Sequence, residues 1–81
     1  MIHIMAIRIA PRDIVAPRVQ EVLTKFGCII KVRLGIHEAM TTECSNDGLI
    51  LLQLVHDVEQ IKGLKDELNS IQGVNAKTVE V

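Results

Sequence analysis

Gly48 to His56 reads GLILLQLVH, and six of the seven residues from Leu49 to Val55 are apolar, with Gln53 alone interrupting them. A strand with one wet face alternates apolar and polar residues, whereas a run apolar on both parities is covered on both faces. In a chain of 81 residues few other segments remain to do the covering. The second face of this strand therefore calls for another subunit.

On its N-terminal side lies Glu38 to Asp47, EAMTTECSND, a polar stretch that runs into Gly48 with the turn chemistry of Asn46 and Asp47. Ten residues are long for a hairpin loop. Before it, Cys28 to His37 alternates, with Ile30, Val32, Leu34 and Ile36 on one parity and Lys31, Arg33, Gly35 and His37 on the other, the pattern of a half-wet edge strand with the second set toward water. Gly35 in that strand marks a bulge or a close backbone approach. On the C-terminal side, Asp57 can cap a helix with Gln60 three residues on. The stripe of that helix is Ile61, Leu64, Leu68 and Ile71, and Gly73 is its terminator. Gly63 inside it costs about 1 kcal/mol relative to alanine unless a neighbour needs the space.

The ends of the chain complete the pattern. Ile2 to Ile9, IHIMAIRI, is a strand with Ile2, Ile4 and Ala6 on one face and Met5, Ile7 and Ile9 on the other. After Pro11, Asp13 offers an N-cap for a helix striped by Val15, Val19, Val22, Leu23 and Phe26. Pro17 suits a first turn, which places the helix start between Ile14 and Pro17. Gly27 is the expected left-handed C-terminal cap. Val74 to Val81 forms the last strand. The order β-α-β-β-α-β over 1–81 is one ferredoxin-like α+β domain. It is a four-stranded antiparallel sheet with two helices on one face, the first and third strands central. His3 or Met5, with Ile7 and one parity of Leu49 to Val55, would then face water, and an apolar patch of that kind marks an interface. A homo-oligomer, dimer or tetramer, through the open sheet face or an edge strand is the expectation.

Composition narrows the function. Hydrophobic residues are 48% of the chain and mean hydropathy is +0.30, yet Phe26 is its only aromatic. Apolar runs stop at four residues, as at Leu49 to Leu52, against the roughly 20 a spanning helix needs. Met1 leads directly into a strand pattern without the blocks of a signal peptide, so the expected location is cytoplasmic, with Cys28 and Cys44 as free thiols and Cys28 a small buried hydrophobe. Net charge is −1, with six basic residues against two acids up to Arg33 and three against eight beyond it. In so small a domain the two halves should interleave. A sheet without aromatics cannot stack single-stranded bases, and no helix-turn-helix or N-terminal ribbon is present to read duplex DNA, so direct nucleic-acid binding is not expected.

Candidate chemistry is sparse. His3, His37, His56, Cys28, Cys44, Glu38 and Glu43 are possible metal ligands. The tightest group surrounds the long loop, where His37 and Cys44 would serve a metal sensor or chaperone, though without the paired spacing of structural zinc sites. No thiol is placed beside a base, and no nucleophile elbow or phosphate-cradling glycine loop occurs, so no enzyme is expected. Arg33, Gly35 and His37 share the solvent parity of the second strand, and Arg12 and Asp13 lie in the first strand-helix loop. These five are the candidate ligand-binding residues, suited to an anion or carboxylate held by Arg33 at a subunit boundary. No cofactor is indicated.

Two long stretches, VQEVLTKFGCIIKVRLGIHE at 19–38 and GLILLQLVHDVEQIKGLKDELNSIQGVNAKTVEV at 48–81, carry a resemblance over nearly the whole chain. RLGIHE and LNSIQGVNAKTV are its most telling parts. The chain resembles the small stand-alone ACT-like proteins regarded as regulators of the iron-only hydrogenase system. That resemblance implies a ferredoxin-like oligomer with a regulatory, ligand-sensing role, transcriptional regulation being proposed for the family, acting through a small molecule or partner protein. ACT domains bind amino acids at subunit interfaces with a glycine-containing loop after the first strand; here that loop is Ala10-Pro11-Arg12-Asp13, without glycine. The fold is also similar to the C-terminal domain of nickel-responsive repressors, but no nickel-ligand residue carries over.

Overall fold

The computed structural model of the protein describes residues 1–36 and 47–81. Its elements are β1 (His3–Ile9), α1 (Arg12–Lys25), a single 3-10 turn (Gly27–Ile29), β2 (Ile30–Ile36), β3 (Gly48–Leu54), α2 (Val58–Asn69) and β4 (Val74–Glu80). The strands form one antiparallel sheet in the order β2-β3-β1-β4, so the expected ferredoxin-like fold is the one observed, with β1 and β3 central. Beyond the last ladder residues, Ile2 and Val81 exchange two backbone hydrogen bonds and extend the β1–β4 pairing.

Both helices cover the same face. Val15, Val19, Val22 and Leu23 from α1, and Ile61, Leu64 and Leu68 from α2, share one core with Met5, Ile7, Ile9, Leu52, Leu54, Val74 and Ala76. Each large side chain so buried contributes roughly 1.5–3 kcal/mol. The β1 parity expected to face water is thus the buried one: His3, Met5 and Ile7 lie under the helices, while Ile4 and Ala6 take the open face. Alternation defines two faces but not which is covered. The helix stripes decide that.

In β2 the alternation is broken where Lys31 falls between Ile30, opposite Leu54, and Val32, opposite Gln53. This one-residue irregularity reverses the side chains from Val32 to Gly35. Arg33 and Gly35 therefore pair with Leu52 and Ile50 on the helix side, whereas Val32 and Leu34 pair with Gln53 and Leu51 on the open side. Arg33 and Gly35 are exposed, as expected, but on the helix side of the sheet, and Val32 and Leu34 are exposed as well, so the assignment of water to one parity alone is overturned. So is a bulge or close approach at Gly35, where an added Cβ would meet nothing within 4 Å.

Helix ends also differ. The α1 helix starts at Arg12 rather than at 14–17, with Pro11 as N-cap and no side-chain cap bond, so Asp13 sits in the first turn and complements the helix dipole instead of capping it. Pro17 lies inside the helix. Gly27 opens the 3-10 turn and does not take a left-handed conformation; among the described residues Gly73 is the glycine with positive φ, at 91°. There a Cβ would come within 2.2 Å of the Ala10 carbonyl oxygen, while Ala10 N–H donates to Gly73 at 2.9 Å. In α2, Asp57 caps as expected, its Oδ1 accepting from Gln60 N–H at 3.1 Å. Just past the helix interior, Asn69 bonds both backbone groups of Ala76, which closes the outer edge of β4 at that point. Gly63 faces the Phe26 ring at 3.6 Å, and no backbone crowds it. Cys28 is exposed rather than buried, because the 3-10 turn carries Ile29 inward instead. Ion pairs Arg8–Asp47 and Lys25–Glu67 join the basic first part of the chain to the acidic remainder, which shows the two interleaved.

No described helix is long and apolar enough to cross a membrane, which says nothing of β-barrels.

Candidate functional site

The reversal in β2 assembles the site. Arg33, turned toward the helices, donates from Nη1 to Gln20 Oε1 on α1 at 2.7 Å. One strand residue pair further on, Gly35 leaves open space beside the first turn of α1, where Arg12 is half-buried. The result is a hollow of about 320 Å³ with Arg12, Arg33, Gly35 and Gly48 at its polar end and Ile9, Ala16, Leu49 and Ile50 as apolar wall. Among the described residues, two guanidinium groups and no carboxylate line it. Guanidinium pairs carboxylates and phosphates through two parallel hydrogen bonds, so the hollow suits a small anion.

Of the five expected ligand-binding residues, Arg12, Arg33 and Gly35 come together here. Asp13 is exposed in the first turn of α1 and does not line the hollow. His37, expected for both ligand and metal binding, and Cys44, expected for metal, lie outside the described residues. Among the described residues no group of three or more metal-binding side chains converges. Gly48 carries only a turn signal in the sequence, but in the fold it holds the hollow's shape: a Cβ there would meet Ile9 Cγ1 at 2.9 Å and Arg12 Cδ at 3.2 Å. Its position directly before an apolar strand is the one sequence sign of that role.

The open face runs up to the rim of this hollow at Leu49. Its cross-strand rows follow from the pairing: Leu34, Leu51, Ala6 and Lys77 in one, Val32, Gln53, Ile4 and Val79 in the next. Val32, Leu34 and Val79 are each more than half exposed. Polar groups gather toward one end, where Arg8, Lys77 and Asn75 border a shallow dip of about 220 Å³.

No protein-family model matches the chain, and no curated protein matches it. Among solved structures, the ACT domain of GTP pyrophosphokinase from Chlorobium tepidum superposes with TM-score 0.73 at 16% identity, over 98% of this chain and 97% of that one. A protein assigned to the PII-like signaling class from Thermus thermophilus superposes with TM-score 0.59 at 13% identity, over 99% and 86%. At such identities the likeness is one of fold. The uncharacterized protein TM1266 from Thermotoga maritima is nearer, with TM-score 0.82 and 31% identity over 96% of this chain and 92% of that one. Sharing sequence and fold along almost its full length, the chain belongs to the family of Thermotoga maritima TM1266.

Proposed function

We propose that this chain, a single domain over 1–81, is a small regulatory, ligand-sensing module. It assembles with copies of itself as a dimer or tetramer through the open sheet face and takes a small carboxylate-type anion in the hollow of Arg12, Arg33 and Gly35. The observation that carries the reading is the convergence of two arginines, from the start of α1 and from an edge strand, on a hollow that opens beside an uncovered apolar sheet face. A ligand there would touch both the helix start and the rim of the assembly surface, which is how occupancy could bias assembly. The ACT and PII-like folds among the neighbours support a regulatory reading over a catalytic one. The resemblance extends it to transcriptional control of the iron-only hydrogenase system in the cytoplasm, exerted through a partner protein rather than by this chain on DNA.

Acetate serves as the test probe, followed by backbone amide chemical shifts. Saturating shifts at Arg33, Gly35 and Gly48, lost in Arg33→Glu and in Gly35→Ile, are expected; the isoleucine fills the hollow without meeting the core. Unaltered acetate affinity in both variants rejects the site.

A further inference from the structure

At the opposite end of β1, His3 is only 4% exposed, and its Nε2 lies 2.7 Å from Nδ1 of His56 in the turn before α2. The ring centroids are 4.9 Å apart and the planes differ by 26°. That separation is close to the nitrogen-nitrogen distance plus the two ring radii, so the rings meet end to end through one N–H···N bond. Two nitrogens on a shared tetrahedral metal at about 2 Å per bond lie about 3.3 Å apart, and the 2.7 Å contact leaves no room for one here. The bond commits Nε2 of His3 and leaves its Nδ1, which points toward Glu80 Oε1 at 3.8 Å, too far for a hydrogen bond. The tautomer of the pair sets the role of that nitrogen: with His56 Nδ1–H donating to His3 Nε2, the proton of His3 is on Nδ1, and in the reverse tautomer Nδ1 is an acceptor.

His3 borders a hollow of about 190 Å³ between α2 and β4, lined also by Lys62, Lys65, Thr78 and Glu80 and by the apolar Val58 and Ile61. The two lysines differ. Lys62 is exposed and engaged at 2.6 Å with Asp66, whose carboxylate raises the ammonium above its ordinary pKa. Lys65 is half-buried and, among the described residues, makes no ion pair or hydrogen bond, and the half-buried Thr78 hydroxyl makes none either. A half-buried cation without a counter-ion among the described residues and a hydroxyl are two donors around one small space, which the His3 imidazole also lines. Glu80, its side chain 59% exposed, stands at the rim and competes for the imidazole proton.

We propose that this hollow is a second binding site, for a small oxyanion of the carboxylate or phosphate class, held by Lys65 and Thr78 and, in the tautomer that places its proton on Nδ1, by His3. It is separate from the arginine hollow and uses none of its residues. The size admits a single phosphate or a short-chain carboxylate, and the apolar Val58 and Ile61 in its lining favour the latter.

The test titrates the full chain with inorganic phosphate and, separately, with propionate, following imidazole and amide signals. Saturating shifts at His3, Lys65 and Thr78 are expected, and whichever probe produces them identifies the anion class. Lys65→Gln removes a charged donor and should weaken binding about tenfold. Glu80→Gln removes the competitor and should tighten it. An intact His3–His56 proton signal in both variants shows that the fold is kept. Absence of saturating shifts with either probe, or an affinity that Lys65→Gln leaves unchanged, overturns the site whatever happens at Arg33.

Discussion

The two faces of the sheet are built from the same aliphatic strands and finished differently. On the covered face Met5, Ile7 and Leu52 are at most 1% exposed beneath α1 and α2. On the other, Ile4, Ala6 and Leu51 remain partly exposed at the centre, and Val32 and Leu34 stand more than half in water. Chemistry does not distinguish the two sides of β1 and β3; the supply of covering elements does. Two helices close one layer of an antiparallel sheet, and among the described residues there is no third. An apolar face that a small domain cannot cover for itself is what an association surface looks like before association.

That contrast can be broken in order of severity. Leu64 is fully buried against the sheet, and Leu64→Ala should cost about 2–5 kcal/mol, seen as a lower denaturant midpoint. A loss under about 1 kcal/mol would mean that the covered layer is not the main support of the fold. Gly73→Ala comes next, because its Cβ would strike the Ala10 carbonyl at 2.2 Å in a left-handed conformation. Backbone strain of that kind is worth about 1–3 kcal/mol, and thermal unfolding would register it. Gly63→Ala runs the other way. The methyl would touch the Phe26 ring at ordinary contact distance, 3.6 Å, so α2 should gain up to about 1 kcal/mol and the midpoint should rise. A fall would show that the Phe26 contact cannot yield.

Much of this is legible in the residues. Runs apolar on both parities at Ile2 to Ile9 and Leu49 to Val55 identify the central strands, and Asp57 with Gln60 places the start of the second helix to within a residue, although the helix ends at Asn69, short of the expected Ile71 and Gly73. What alternation does not carry is an absolute face: the pattern alone turns the wrong side of β1 to water, and one extra residue at Lys31 reverses β2. That reversal brings Arg33 and Gly35 to Arg12, so the sequence names the residues of the arginine hollow but not the side on which they meet. The second hollow leaves no comparable trace. His3, Lys65 and Thr78 belong to three different elements, and only the folded register of β1, α2 and β4 brings them to one space.

The central claim is that the open face is an assembly surface, and native mass spectrometry across a range of protein concentrations tests it most directly. The expected result is a dimer or tetramer that Leu34→Lys, a charge placed on an exposed position of the open face, converts to a folded monomer. A monomer for the unaltered chain at every concentration, or an assembly indifferent to that lysine, would contradict the account.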